Sequence, residues 1–244
     1  GTIFGVSFGL CALDMGNYSV PANAARTRES LLDTLLQCTF DPLGMYGIDE
    51  VGMVMYAFAP YQDDPVYGER VRAKLDDGVA SIVKHMREDY TFVYGAQVNS
   101  ETTAQVICAL ASCGIDPYSD PRFGNGTTTV LTQWMDLFAT SDGFKHTQDD
   151  TTNTMATYQS CYALQWYLGF LNKGGAGHPY HLYYHRYDFS TAFSTDADIL
   201  SFSIEGQNGK IETKDGKNTI TVTLPKGMPL QNITPDFTLS PGAT

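Results

Sequence analysis

Apolar residues fall into two patterns along the first two-thirds of this chain. In "YGERVRAKLDDGVASIVKHMREDY" (67–90), Val71, Leu75, Val79, Ile82, Val83 and Met86 recur at helical spacing, while Arg70, Lys74, Asp77, Lys84 and Arg87 take the other face. That one-sided stripe predicts an amphipathic helix laid over a core. "TRESLLDTLLQC" (27–38), through Leu31, Leu32, Leu35 and Leu36, and "TTTVLTQWMDLFA" (127–139), through Val130, Leu131, Trp134 and Phe138, predict two more. The second pattern is apolar or small nearly all round. It occurs in "IFGVSFGLCAL" (3–13), "DEVGMVMYAFA" (49–59), "ETTAQVICALASC" (101–113) and "NTMATYQSCYALQWYLGFL" (153–171). Helices without a charged face must be enclosed.

Enclosed and covering segments alternate, and the enclosed ones recur at a near-constant interval. Leu110 follows Phe58 by 52 residues, and Leu164 follows Leu110 by 54. A repeated inner–outer helix pair buries its inner members most simply in concentric layers, which predicts an α/α toroid or part of one. Linkers rich in Asp, Pro and Gly, such as "YQDDPVYG" and "GIDPYSDPRFGNG", separate the pairs. From residue 198 the pattern changes. "ILSFSI" and "TITVTL" alternate apolar and polar residues, "GQNG" and "KDGKN" are turn signals, and prolines stand at strand ends. The expected organisation is a helical repeat domain over 1–173, a Gly-rich and aromatic linker over 174–197, and a β segment over 198–244.

Composition narrows the partners. At 244 residues and 43% hydrophobic the chain can bury a sizeable core. Fifteen Lys and Arg against 27 Asp and Glu give a formal charge of −12, which repels phosphate backbones and excludes nucleic acid as a partner. The apolar runs are broken well short of the roughly 20 residues a spanning helix needs. The five cysteines, Cys11, Cys38, Cys108, Cys113 and Cys161, lie inside apolar segments with no CxxC pair and read as buried thiols.

"IFGVSFGLCALDMGNYSVP", "YAFAPYQDDP", "VNSETTAQVICALASCGIDPYSDPRFGNG" and "GFKHTQDDTTNTMATYQSCYAL" together resemble the prenyltransferase and squalene-cyclase repeat modules of Gram-positive bacterial surface proteins. The resemblance spans roughly residues 1–172 and corresponds to the C-terminal half of that family's toroid. It implies a mainly α fold, a partial toroid of about seven helices, whose inner helices find their remaining partners outside the chain or in oligomer contacts. The β segment is similar to the opening of the immunoglobulin-like modules of bacterial cell-surface proteins. It supplies about four strands where a sandwich needs about seven, so it reads as incomplete. Both resemblances imply an extracellular or cell-surface protein.

The catalytic motifs of the toroid superfamily are missing. Terpene cyclases protonate an alkene or epoxide with the acid of a DxDD motif. Here "YQDD", "KLDD" and "TQDD" each lack the first acid, and QxxxGxW is absent. Protein prenyltransferases hold zinc with an Asp and a Cys two residues apart and a His from another helix. The corresponding start reads Asp49, Glu50, Val51, and no inner helix carries a His. Thioester modules need Cys-Gly-Glu-Gln, and "CGID" at Cys113 departs from it at both later positions.

The acids Asp49, Glu50, Glu101, Asp149 and Asp150 stand at or just before the starts of inner helices, where free N–H groups and the dipole favour negative charge. If those starts share one rim, the same acids form a cluster able to hold a cation or a polyhydroxylated ligand. Gln105 and Gln159 are equivalent positions 54 residues apart, as are Asn99 and Asn153. Inter-helix bonding and capping are one reading of these amides, and ligand orientation the other. Tyr56, Tyr158, Tyr162, Trp166 and Tyr167 either pack the core or line an aromatic cavity. His178, His181 and His185 form an HxxHxxxH cluster that offers a metal site only if the stretch is helical.

The expected function is a noncatalytic binding or adhesion module with an unidentified surface ligand or small molecule as partner, no catalytic residue and no cofactor. The candidate ligand-binding residues are Asp49, Glu50, Glu101, Gln105, Asn153, Tyr158, Gln159 and Trp166. Two alternatives stand beside it. One is a terpenoid-cyclase-like or prenyltransferase-like enzyme whose site is completed by an N-terminal half, and the other a carrier of a bulky small molecule, as in cobalamin-binding toroid proteins.

Overall fold

The computed structural model describes residues 2–21, 23–183, 199–204, 206–214, 217–227 and 234–239. The chain divides into two compact units, Gly1–His185 and Arg186–Thr244. The first unit carries seven α-helices: α1 Ile3–Met15, α2 Arg28–Leu36, α3 Gly47–Phe58, α4 Gly68–His85, α5 Ser100–Ser112, α6 Val130–Phe138 and α7 Thr154–Lys173. A short hairpin, β1 Val93–Tyr94 and β2 Gln97–Val98, precedes α5.

The two sequence patterns sort the helices into two layers. The four without a charged face form a row in which α1 packs on α3, α3 on α5 and α5 on α7. The amphipathic helices cover that row, with α2 on α1 and α4, α4 on α3, and α6 on α5. Every residue of α5, at the row's middle, is buried. Neighbours in the row meet at matching heights. Phe4 of α1 lies 4.2 Å from Tyr46 just ahead of α3, Gly52 of α3 abuts Gln105 of α5, and Gln105 bonds Gln159 of α7. The four helices therefore run in the same direction. A Cβ at Gly52 would stand 3.0 Å from the Gln105 carbonyl oxygen, so glycine there sets how closely α3 and α5 approach.

Side chains at the helix starts satisfy donors that the helices leave open. Asn99 accepts from Thr102 N at 2.9 Å and Asn153 from Ala156 N at 3.0 Å, so the two equivalent asparagines are N-caps. Thr27 with Ser30, and Thr129 with Thr132, make reciprocal capping pairs. The amphipathic stripe of 67–90 runs past the end of its helix. After His85, Met86 turns extended, and Asp89 accepts from Thr91 N and Oγ1 to close a tight turn.

Beyond Gly174 the chain doubles back onto the helical unit. Gly177 N donates to Gly114 O at 2.7 Å, Tyr180 N to Ala111 O at 3.1 Å, and Trp166 Nε1 to Tyr180 O at 2.8 Å. The Tyr180 ring fills the notch left by Gly169, where any Cβ would collide with it. Residues 174–183 thus seal the C-terminal ends of α5 and α7.

In the second unit β3 (Ile199–Ile204) is flanked by β4 (Gln207–Asn208) and β7 (Pro235–Leu239), both antiparallel to it. A separate antiparallel hairpin joins β5 (Lys210–Lys214) to β6 (Lys217–Thr221). A mainly α chain of seven helices with a small C-terminal β segment is the class the sequence predicts.

Candidate functional site

The starts of α3 and α5 bring two of the predicted acids together. Asp49 and Glu50 occupy the first turn of α3, and Glu101 that of α5. Glu101 is buried, and both its carboxylate oxygens lie 2.9 Å from Nδ1 of His146, with Ser100 Oγ donating at 3.3 Å. Ser100 N bonds His146 O at 3.0 Å and holds that loop against the helix start. Burial pushes the Asp49 carboxyl up to about 6; the Thr102 hydroxyl beside it opposes the rise, and the Glu101 charge adds to it. Thr102 stands beyond hydrogen-bonding geometry, so Asp49 Oδ1 and Thr102 Oγ1 are both buried without a bond. Glu50 points elsewhere, its carboxylate lying over Gly44 in the loop before α3.

One turn further along, the amides and aromatics continue the same surface. Gln105 Nε2 donates to Gln159 Oε1 at 3.1 Å, and Gln105 Oε1 is buried with no partner. Tyr162 lies beside Gln105 and Cys108, and burial raises its hydroxyl pKa well above the ordinary tyrosine value. Tyr158, one turn earlier, is 69% exposed with its ring 6.2 Å from that of Tyr162. A continuous strip therefore runs from Asp49 on α3, across Glu101, Thr102 and Gln105 on α5, to Gln159 and Tyr158 on α7. Its unbonded oxygens, Asp49 Oδ1, Thr102 Oγ1 and Gln105 Oε1, are enclosed, whereas Tyr158 beside them presents an open ring face of the kind on which a sugar ring stacks.

The remaining predicted residues take other places. Trp166 is fully buried, its ring 5.1 Å from Tyr56, 4.9 Å from His181 and 5.4 Å from Tyr183, so it anchors the returning segment. Asn153 is an exposed cap. His178 is exposed beside Gly174, whereas His181 is buried edge-on to Trp166. The stretch from His178 to Tyr183 is not helical, so the premise of a shared helical face fails there. His185 lies outside the described residues. Among the described residues no group of three metal-capable side chains converges.

Two expectations need correction. Asp149 and Asp150 do not begin a helix: α7 starts at Thr154, and Asp150 instead closes a turn by accepting from Thr147 N and Oγ1 at 2.8 and 2.7 Å. The polar run ahead of α7 is long enough to fold on itself. Nor are all five thiols buried: Cys38 and Cys113 are half-buried, and Cys161 is exposed on the outer side of α7. α7 ends the row and lacks the neighbour that buries that side in α5.

Sequence reasoning missed two sets of residues. His146 stands 45 positions from Glu101 in an irregular loop, where no periodicity pairs them. Asp14, Arg28 and Tyr61 form a buried network in which Tyr61 Oη donates to Asp14 at 2.6 and 2.8 Å and Arg28 Nε at 3.0 Å. An Asp in the otherwise uncharged segment of α1 was its only signal.

Family comparison matches residues 199–244 to the family model described as "SGBP, N-terminal", where SGBP denotes a surface glycan-binding protein. The match covers the second unit alone and marks it as a bacterial surface-protein region. Comparison with curated proteins and with solved structures finds no match. No helix among the described residues is long and apolar enough to cross a membrane.

Proposed function

We propose that this chain is a noncatalytic glycan-binding module of a bacterial cell-surface or secreted protein. The observation that carries the reading is the surface glycan-binding family match over residues 199–244. The strip on α3, α5 and α7 supports it with suitable chemistry. Tyr158 presents an exposed face for a sugar ring and the half-buried Gln159 an amide next to it, while the enclosed Gln105 holds Gln159 in place through its own amide, and Asp49 and Glu101 lie further along the strip. Trp166 and Asn153 act as positioning residues, the first by bracing α7 against the 174–183 segment and the second by capping α7. In this reading the helical repeats over 1–173 belong to a partial α/α toroid, and the β segment over 198–244 is an immunoglobulin-like module that continues the surface protein.

The test is calorimetric titration of the chain with neutral and uronate-containing oligosaccharides, repeated on Tyr158→Ala and Gln159→Ala. Each stacked or doubly hydrogen-bonded contact is expected to contribute about 1–2 kcal/mol, so either variant should weaken binding about tenfold. Binding that survives both variants moves the ligand site off this strip. Absence of binding to every oligosaccharide overturns the glycan reading.

A further inference from the structure

The loop ahead of α7 places one imidazole at the acidic end of the strip. Nδ1 of His146 lies 2.9 Å from both oxygens of the buried Glu101 carboxylate. An ionised carboxylate can only accept, so Nδ1 carries a proton and, in the neutral imidazole, Nε2 keeps its lone pair. Nε2 has no partner among the described residues and is not enclosed, the side chain being 40% exposed. The loop that carries the ring is itself clamped. Ser100 N donates to His146 O at 3.0 Å, Trp134 Nε1 donates to Ser100 O at 3.0 Å, and the Trp134 ring stacks on Phe144 at 4.9 Å. A buried carboxylate thus fixes the tautomer, and a packed loop the direction, of an acceptor that the fold itself does not use.

The acids around that imidazole are not neutralised by Lys or Arg. Asp49 at the start of α3 feels the charge of Glu101 at the start of α5, and Asp150 in the loop feels that of His146. Elsewhere the chain sets Arg28 on Asp14, Lys84 on Asp41 and Arg122 on Asp120. Among the described residues neither Asp49 nor Glu101 has such a partner. Lys145, next to His146, donates its ammonium to Gln148 O at 3.0 Å within the loop. This end of the strip therefore accepts hydrogen bonds and repels negative charge. A sugar hydroxyl meets a lone pair there, whereas a carboxylate meets a lone pair and like charge together.

We infer that His146 contacts the ligand by accepting a hydroxyl at Nε2, and that Glu101 is its positioning residue, so that the strip takes neutral glycans and turns uronates away. The inference rests on the glycan reading above and names the class of sugar which that reading leaves open.

Calorimetric titration with neutral hexose tetrasaccharides, each against its counterpart oxidised at C6 to the uronate, tests it at about 10 and about 150 mM sodium chloride. The neutral sugar should bind about tenfold more tightly at the lower salt, and the gap should narrow at the higher. Glu101→Gln removes the charge and lets an amide donate to Nδ1, which turns Nε2 into a donor. That variant should weaken neutral binding, strengthen uronate binding and close the gap. His146→Ala should weaken neutral binding about tenfold. Far-ultraviolet circular dichroism checks the fold of both variants, and if His146→Ala unfolds, the affinity ratio of Glu101→Gln decides. Equal affinity for the two classes at low salt, or tighter uronate binding, overturns the inference and leaves the glycan reading standing. Neutral binding that survives His146→Ala overturns the contact, and a preference unmoved by Glu101→Gln overturns the positioning role. Absence of binding by every oligosaccharide overturns the glycan reading and this inference with it.

Discussion

At the scale of single residues, Asp49 and Cys161 make the sharpest statements. Burial lifts the Asp49 carboxyl to about 6 from an ordinary 3.8, so the folded state prefers it protonated. Its contribution to stability is full below the ordinary value and is lost as pH rises through about 6. At neutral pH the ionised, unbonded carboxylate therefore weakens the fold, by at most about 3 kcal/mol. Asp49→Asn should raise the denaturant midpoint at about pH 7.5 and change little below about pH 4. A gain that is equal at both pH values would show that ionisation is not its origin. Cys161 differs from its four counterparts in being exposed, whereas burial pushes Cys11 and Cys113 up to about 12 and Cys38 to about 11, and raises Cys108 as well. Thiolates, not thiols, react with alkylating agents. Brief iodoacetamide treatment of native protein should leave one adduct, mapped to Cys161 by peptide mass spectrometry. Equal labelling of Cys11 or Cys108 would mean that the inner row opens under native conditions.

At the scale of elements, the buried Asp14–Arg28–Tyr61 network ties the end of α1 to the start of α2 and to the turn after α3. Desolvation raises the Asp14 carboxyl, and the bonds from Tyr61 and Arg28 offset that rise. Tyr61→Phe removes the shorter donor and leaves a buried carboxylate on Arg28 alone, so it should cost about 1–3 kcal/mol in urea unfolding. An unchanged midpoint would mean that Arg28 satisfies Asp14 by itself. The elements were also the most legible level of the sequence. Val71, Leu75 and Val79 repeat against charged neighbours, and the uncharged runs around Met53 and Ile107 have nowhere to go but inside, so pattern alone separates covering from enclosed helices. Asn99 and Asn153 were legible as caps because capping is local. The candidate site was legible only as residue types. Gln105 and Gln159 follow from the repeat, but their bond depends on α5 and α7 running parallel in contact. Glu101 and His146 meet only because a loop without periodicity folds over a helix start. The return of Tyr180 and His181 onto Trp166 was hidden for the same reason, since nothing in "HPYHLYY" indicates which surface those rings will meet.

At the scale of the whole molecule, net charge and the apolar row pull in opposite directions. The chain carries a formal charge of −12, so its acids repel one another over distances set by ionic strength. The contacts that hold the inner row together are apolar and insensitive to screening, while the repulsion is not. The urea midpoint should therefore rise as sodium chloride goes from about 10 to about 150 mM, where the screening length falls from about 30 to about 8 Å. Unfolding followed by circular dichroism across that range reads the change directly. If the midpoint instead falls with salt, ion pairs such as Arg28–Asp14 contribute more to the fold than the repulsion takes away.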